Sequence, residues 1–311
     1  MRTPCITRQV SEQKFSRYRQ MLTQLAGDGL RAAAKTAPSA DSVLIAVPAA
    51  RLLLSDDVEA HAALVKGFDA LARMGRAAGR KTPKLREPDG HRRPIYHGLV
   101  LHLHLAAFNV RYEQLPRSAW SACEDRLPQA VEPARDIERY GDVPPPSDCV
   151  DLVLWQALCL LEQAEALRRD IDVELIDSVV HQAIQIDPAF ASAGPNRPAP
   201  LHRREDGEAL DAWTYRELCG LHALAHLALQ RRSTTWARRL EQVARYHLEH
   251  TQPDYTTTQP WGVFAFLWPD QTETFADQQI HDATMHGGSC PGPVASLLLA
   301  DAVHALEAFG G

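Results

Sequence analysis

Long apolar runs are missing from this chain. No stretch of about 18 apolar residues occurs among its 311 residues, so no membrane-spanning helix is expected. The opening stretch, Met1 to Phe15, lacks an apolar centre of the kind an export leader carries, and the cytoplasm is the default compartment. The six cysteines are scattered without a CxxC pair, which reads as reduced thiols rather than a disulfide framework. Excess basic charge is absent too. The net charge of −6 argues against nucleic acid as a partner. The one basic run, Gly79 to Pro94, is broken by proline and glycine and reads as a solvated loop, with an anion- or partner-binding loop as the alternative. Alternating strand patterns are nearly absent. So are HExxH, GxGxxG, a Walker loop and GxSxG, which removes the zincin, nucleotide-fold and α/β-hydrolase readings.

Helical periodicity is abundant. Phe15, Tyr18, Leu22 and Leu25 recur at helical spacing, and Leu64, Val65, Phe68 and Leu71 do the same. The run Ser42 to Ser55 is apolar and broken at Pro48; it reads as a strand and helical turn or as a bent helix. Four stretches are apolar on every side: YHGLVLHLHLAAFNVRY, VDLVLWQALCLLEQAEAL, YRELCGLHALAHLALQ and PVASLLLADAVHALEAF. The first three are each followed by an amphipathic stretch. A helix apolar all round has to be surrounded by protein, whereas an amphipathic one has a face for water. Hairpins of this kind close into an inner ring of buried helices and an outer amphipathic ring. The expected fold is therefore all-α: a single α/α-toroid domain over 1–311, an incomplete or full (α/α)6-like barrel, with an open solenoid as the alternative.

Three inner helices carry polar and aromatic stripes. Tyr215, Cys219, His222 and His226 share one face of the third. Asp148, Trp155, Cys159 and Glu162 share one on the second, and His97, His104, Phe108 and Tyr112 one on the first. In a toroid these stripes are expected to face the centre. Cys219, His222 and His226 are the candidate metal ligands, with zinc as the ion. Three ligands from one helix are unusual, so hydrogen-bonded core histidines are the favoured reading and zinc is not.

The segment His250 to Trp268 holds three consecutive threonines, a tyrosine and two tryptophans among prolines that forbid a continuous helix. It is expected to line the cavity mouth, with Tyr255, Thr257 and Trp261 reaching inward beside Tyr215, Trp155 and Gln278 as ligand-binding residues. Asp277 and His281 lie four apart, on one face, and with His222 form the candidate catalytic set. Helix capping and an ordinary contact between neighbouring turns are the simpler explanation of that pair. Asp170 and Asp172 sit in a turn between helices and are expected to act as caps.

The alternation of inner and outer helices resembles the terpenoid cyclase and protein prenyltransferase class of α/α toroids. TTTQPWGVFAFLW also resembles the Gln-to-Trp segments of squalene–hopene cyclases. The resemblance spans about residues 96 to 311. The diagnostic acids differ: Asp170-Ile171-Asp172-Val173 holds two of the acids of a DxDD motif, and Asp56-Asp57-Val58-Glu59-Ala60 departs from DDxxD at its last position. The resemblance implies a cavity enzyme acting on an apolar or sugar-like small molecule. The alternative is a non-catalytic toroid that binds a ligand or protein partner.

Overall fold

The computed structural model describes residues 12–35, 42–55, 59–79, 81–87, 92–111, 113–141, 143, 145–167, 171–187, 190, 197–251, 260–269, 272–285 and 291–309. Tyr112, Tyr255, Thr257, Asp56, Asp57 and Asp170 lie outside them. The described residues are mostly helical. The α-helices are α1 (Glu12–Ala33), α2 (Val47–Leu54), α3 (Glu59–Ala78), α4 (Pro94–Arg111), α5 (Arg117–Val131), α6 (Val150–Leu167), α7 (Val173–Ala183), α8 (Leu210–Gln230), α9 (Thr234–His250), α10 (Val263–Phe266), α11 (Glu273–Met285) and α12 (Pro293–Phe309).

Local chemistry sets many of their ends. Ser42 accepts a bond from Leu44 N and opens a 3-10 turn, Val43–Ala46, that runs into α2 with Pro48 in its first turn. Between Ser42 and Ser55 the run is thus helical, from Val43 to Leu54, not a strand. Asp172 caps α7 by accepting from Leu175 N, and Ser233 caps α9 by accepting from Trp236 N. Pro128 sits near the end of α5, which gives way to a 3-10 segment, Glu132–Gly141. Part of the basic run pairs as two short antiparallel strands, β1 (Leu85–Arg86) and β2 (Arg92–Arg93).

The helices apolar all round are the buried ones. α4 is buried without interruption from Ile95 to Phe108, and α6 buries all but one residue from Val150 to Gln163. α8 is almost wholly buried from Trp213 to Ala228, and α12 from Val294 to Leu306. α4 packs on α6, α6 on α8, α8 on α10, α10 on α12, α12 on α2 and α2 on α4; α4 and α12 also touch directly. The remaining helices lie against these: α1 on α12, α3 on α2 and α5, α7 on α6, α9 on α8 and α11 on α10. One continuous apolar core runs from Tyr18 to Leu306.

Close approach of α4 and α6 depends on Gly98. A Cβ there would come within 2.6 Å of the Trp155 Cβ, and the Cys159 thiol reaches the Gly98 carbonyl at 3.3 Å. A second tie holds the segment before α8. Glu217, fully buried, accepts from the backbone N–H of Leu201 and His202 at 2.8 and 2.7 Å. The buried Arg239 guanidinium donates to the carbonyls of Ile184, Ala199 and Pro200.

Candidate functional site

Five ionisable side chains from the four apolar helices meet in the interior. α4 supplies His102, α6 Glu162, α8 His222 and His226, and α12 Asp301; all are buried. Spacing of four residues puts both α8 histidines on one face. His102 Nδ1 lies 2.8 Å from Glu162, and its Nε2 lies 2.9 Å from Asp301 Oδ1. The other Asp301 oxygen accepts from His222 Nε2 at 2.7 Å and lies 2.8 Å from His226 Nε2. Aromatic rings wall the group. Trp155 stacks on His222, with planes 17° apart, and Phe264 lies 4.9 Å from the His226 ring centre.

Not all these short contacts are hydrogen bonds. His102 Nε2, His226 Nε2 and Asp301 Oδ1 are buried and close, yet none has a partner at hydrogen-bonding angles. Their residues form the one His/Cys/Asp/Glu group among the described residues whose ligand atoms all lie within 4.8 Å of one another. Other buried polar atoms also lack partners, both ring nitrogens of His97 and Trp155 Nε1 among them, but these three belong to residues that converge.

Electrostatics tie the group together. Burial alone would lower the His102 pKa, but Asp301 and Glu162 on its two nitrogens overcome that and raise it to about 10. Burial would likewise raise Asp301, but the histidines outweigh it and hold the carboxyl well below its ordinary range. Burial lowers His222 to about 4 against the pull of Asp301. His222 is therefore neutral, with its proton on the Nε2 that faces Asp301.

The structure divides the residues singled out by sequence. His222 and His226 reach the interior group. Cys219 does not belong to it: its thiol neighbours Tyr215, and burial pushes its pKa up, away from the thiolate a metal needs. Trp155 packs against the site histidines. Tyr215 is buried two turns before His222, with Trp261 edge-on at 4.2 Å between centroids. Asp277 and His281 are exposed on α11, apart from the buried His222. Asp277 accepts from the Tyr18 hydroxyl at 2.7 Å, and Gln278, also exposed, donates to Asp282. His97 and His104 face away from the group. His104 lies edge-on to Phe68 of α3, 5.4 Å between ring centres.

His102 and Asp301 were not among the residues picked out by pattern. Asp301 carried a signal, as one of only two carboxylates, with Glu307, in the last apolar stretch. His102 carried less, being one of three histidines in α4. No protein-family model, curated protein or solved structure matches this chain.

Proposed function

We propose that this chain is an α/α toroid that holds one divalent transition metal at its centre and uses it to act on an apolar small molecule. The carrying observation is the convergence of three buried, unpartnered ligand atoms: His102 Nε2, His226 Nε2 and Asp301 Oδ1. The helix contacts support the ring, because the order α4, α6, α8, α10, α12, α2 returns to α4.

Further features support a metal. The Glu162 carboxylate on His102 Nδ1 is the outer partner a metal-bound imidazole commonly has, and it leaves Nε2 as the ligand atom. His222 donates to the second oxygen of Asp301 and so orients that carboxylate. Two imidazoles and one carboxylate suit zinc or ferrous iron, and three protein ligands leave positions for a reacting molecule. Ligands about 2.1 Å from a tetrahedral ion stand about 3.4 Å apart, so the 2.9 Å contact between His102 Nε2 and Asp301 Oδ1 opens by roughly half an ångström on binding. The ion replaces the proton that His102 otherwise carries between two carboxylates. Trp155, Phe264 and Phe309 around the histidines favour an apolar substrate.

The filled interior favours a second reading, a non-catalytic toroid in which Glu162, His102 and Asp301 form an internal ionic tie. Elemental analysis of protein purified without a histidine tag separates the two. The metal reading expects close to one equivalent of zinc or iron, lost in His102→Ala and in His226→Ala and kept in Cys219→Ser. Folded protein that takes up neither metal, even after dialysis against each, would establish the ionic tie instead.

A further inference from the structure

We propose a second binding site, at the start of α8 and the end of α9, that takes a small flat aromatic anion. A cavity of about 300 Å³ opens there. That volume is at the small end of ligand pockets and suits a compound of one or two fused rings.

Aromatic groups form its walls. Tyr246 is the pivot: Phe190 and Trp213 each meet it edge to face at 6.3 Å between centroids, and His250 lies 4.8 Å away. Such walls offer both ring faces and ring edges to a planar guest. The charge at the cavity has one sign. Arg203 and Arg204 line it, and among the described residues no carboxylate does, on a chain whose net charge is −6. Among the described residues neither arginine makes an ion pair. Three arginines on or beside the flanking helices are paired: Arg216 with Glu208, Arg231 with Asp177 and Arg245 with Glu241. Glu205 and Asp206 follow directly in sequence, yet they do not line the cavity. Two unpaired guanidinium groups beside aromatic faces are a natural receptor for a carboxylate or phosphate on an aromatic ring.

The walls are held in place before any ligand arrives. Trp213 Nε1 donates to the His202 carbonyl, and the backbone of Leu201 and His202 is pinned by the buried Glu217 carboxylate. The same carboxylate accepts from His247 Nε2 at 3.1 Å, and His247 Nδ1 shares a hydrogen bond of 3.1 Å with the Thr251 hydroxyl in the cavity wall. A preorganised wall reduces the ordering cost of binding. The two arginines are exposed and remain free to close over an anion.

Calorimetric titration of the full-length protein with four probes tests this assignment: naphthoate, naphthyl phosphate, naphthylmethylamine and cyclohexanecarboxylate. We expect saturable binding of naphthoate or the phosphate, at least about tenfold tighter than the amine and the non-aromatic acid. The phosphate and naphthoate arms identify which anion the site prefers. Arg203→Gln/Arg204→Gln should weaken the aromatic anion by at least about tenfold with an unchanged melting temperature, because both side chains are exposed. Arg203→Lys/Arg204→Lys should retain part of the affinity. Equal binding of acid and amine, undiminished binding by the glutamine variant, or no saturable binding of either anion at millimolar concentration overturns the proposal.

Discussion

His102 in α4 and Asp301 in α12 face each other with Nε2 and Oδ1 2.9 Å apart, both buried and neither at hydrogen-bonding angles to any partner. The contact joins the first and last of the four helices that are apolar all round. Asp301 also receives His222 and His226, so one carboxylate neutralises the polar groups of two other helices.

Asp301→Asn keeps the volume and removes the charge. His102 is then left with only Glu162 as a counter-charge. Unpairing a buried charge costs about 3–5 kcal/mol, and urea unfolding should show a loss of that order. A loss under about 1 kcal/mol would show that the carboxylate is not the hub of the group.

Gly98→Ala should destabilise the protein even though alanine is the better helix former by about 1 kcal/mol. The added methyl would meet the Trp155 Cβ at 2.6 Å, and α4 and α6 would have to separate. Overpacking of this kind costs about 1–3 kcal/mol. Trp155 stacks on His222, so the same variant should also weaken metal binding. Equal or greater stability in denaturant would mean that the two helices are not in tight register there.

The helical class was legible from sequence because 3.6-residue periodicity and caps are local. The burial of α6 and α8 was legible because a helix apolar all round has no face for water. That same property hid the site. In α4 every face is apolar, so periodicity ranks no face as inward, and the His97–His104 stripe looked as good as His102. Asp301 meets the histidines only because α12 packs beside α4, a neighbour relation that no local pattern carries. On α8 the histidine pair was legible from its spacing of four, but Cys219 turned with Tyr215 and not with the histidines. Segment 250–268 drew attention by its aromatic content; Trp261 serves as packing on Tyr215, and Tyr255 and Thr257 lie outside the described residues.

Trp261→Ala should therefore behave as a packing variant. Removing a large ring that covers Tyr215 costs about 3 kcal/mol. Metal content per folded molecule should stay that of the parent. A lowered metal content at unchanged stability would return Trp261 to the site.

Acid should destabilise the fold through His97. Burial lowers its pKa to about 4 in the folded protein, against about 6.5 in an unfolded chain. Between these values the unfolded chain binds a proton that the folded one refuses. Stability from this group is complete above about pH 6.5 and is lost as the pH falls towards 4, by up to about 3 kcal/mol. His97→Leu removes that dependence. The stability of the parent relative to this variant should fall as unfolding is followed from pH 7 to pH 4. Parallel curves would show that burial does not lower the His97 pKa.

X-ray absorption at the zinc and iron edges, on untagged protein loaded with one equivalent of metal, tests the central claim most directly. A first shell of two imidazole nitrogens with carboxylate and solvent oxygen is predicted. The imidazole signal should disappear in His226→Ala, which is expected to lose the ion, and stay unchanged in Cys219→Ser. A shell containing sulfur, or only solvent oxygen, would contradict a centre built from His102, His226 and Asp301.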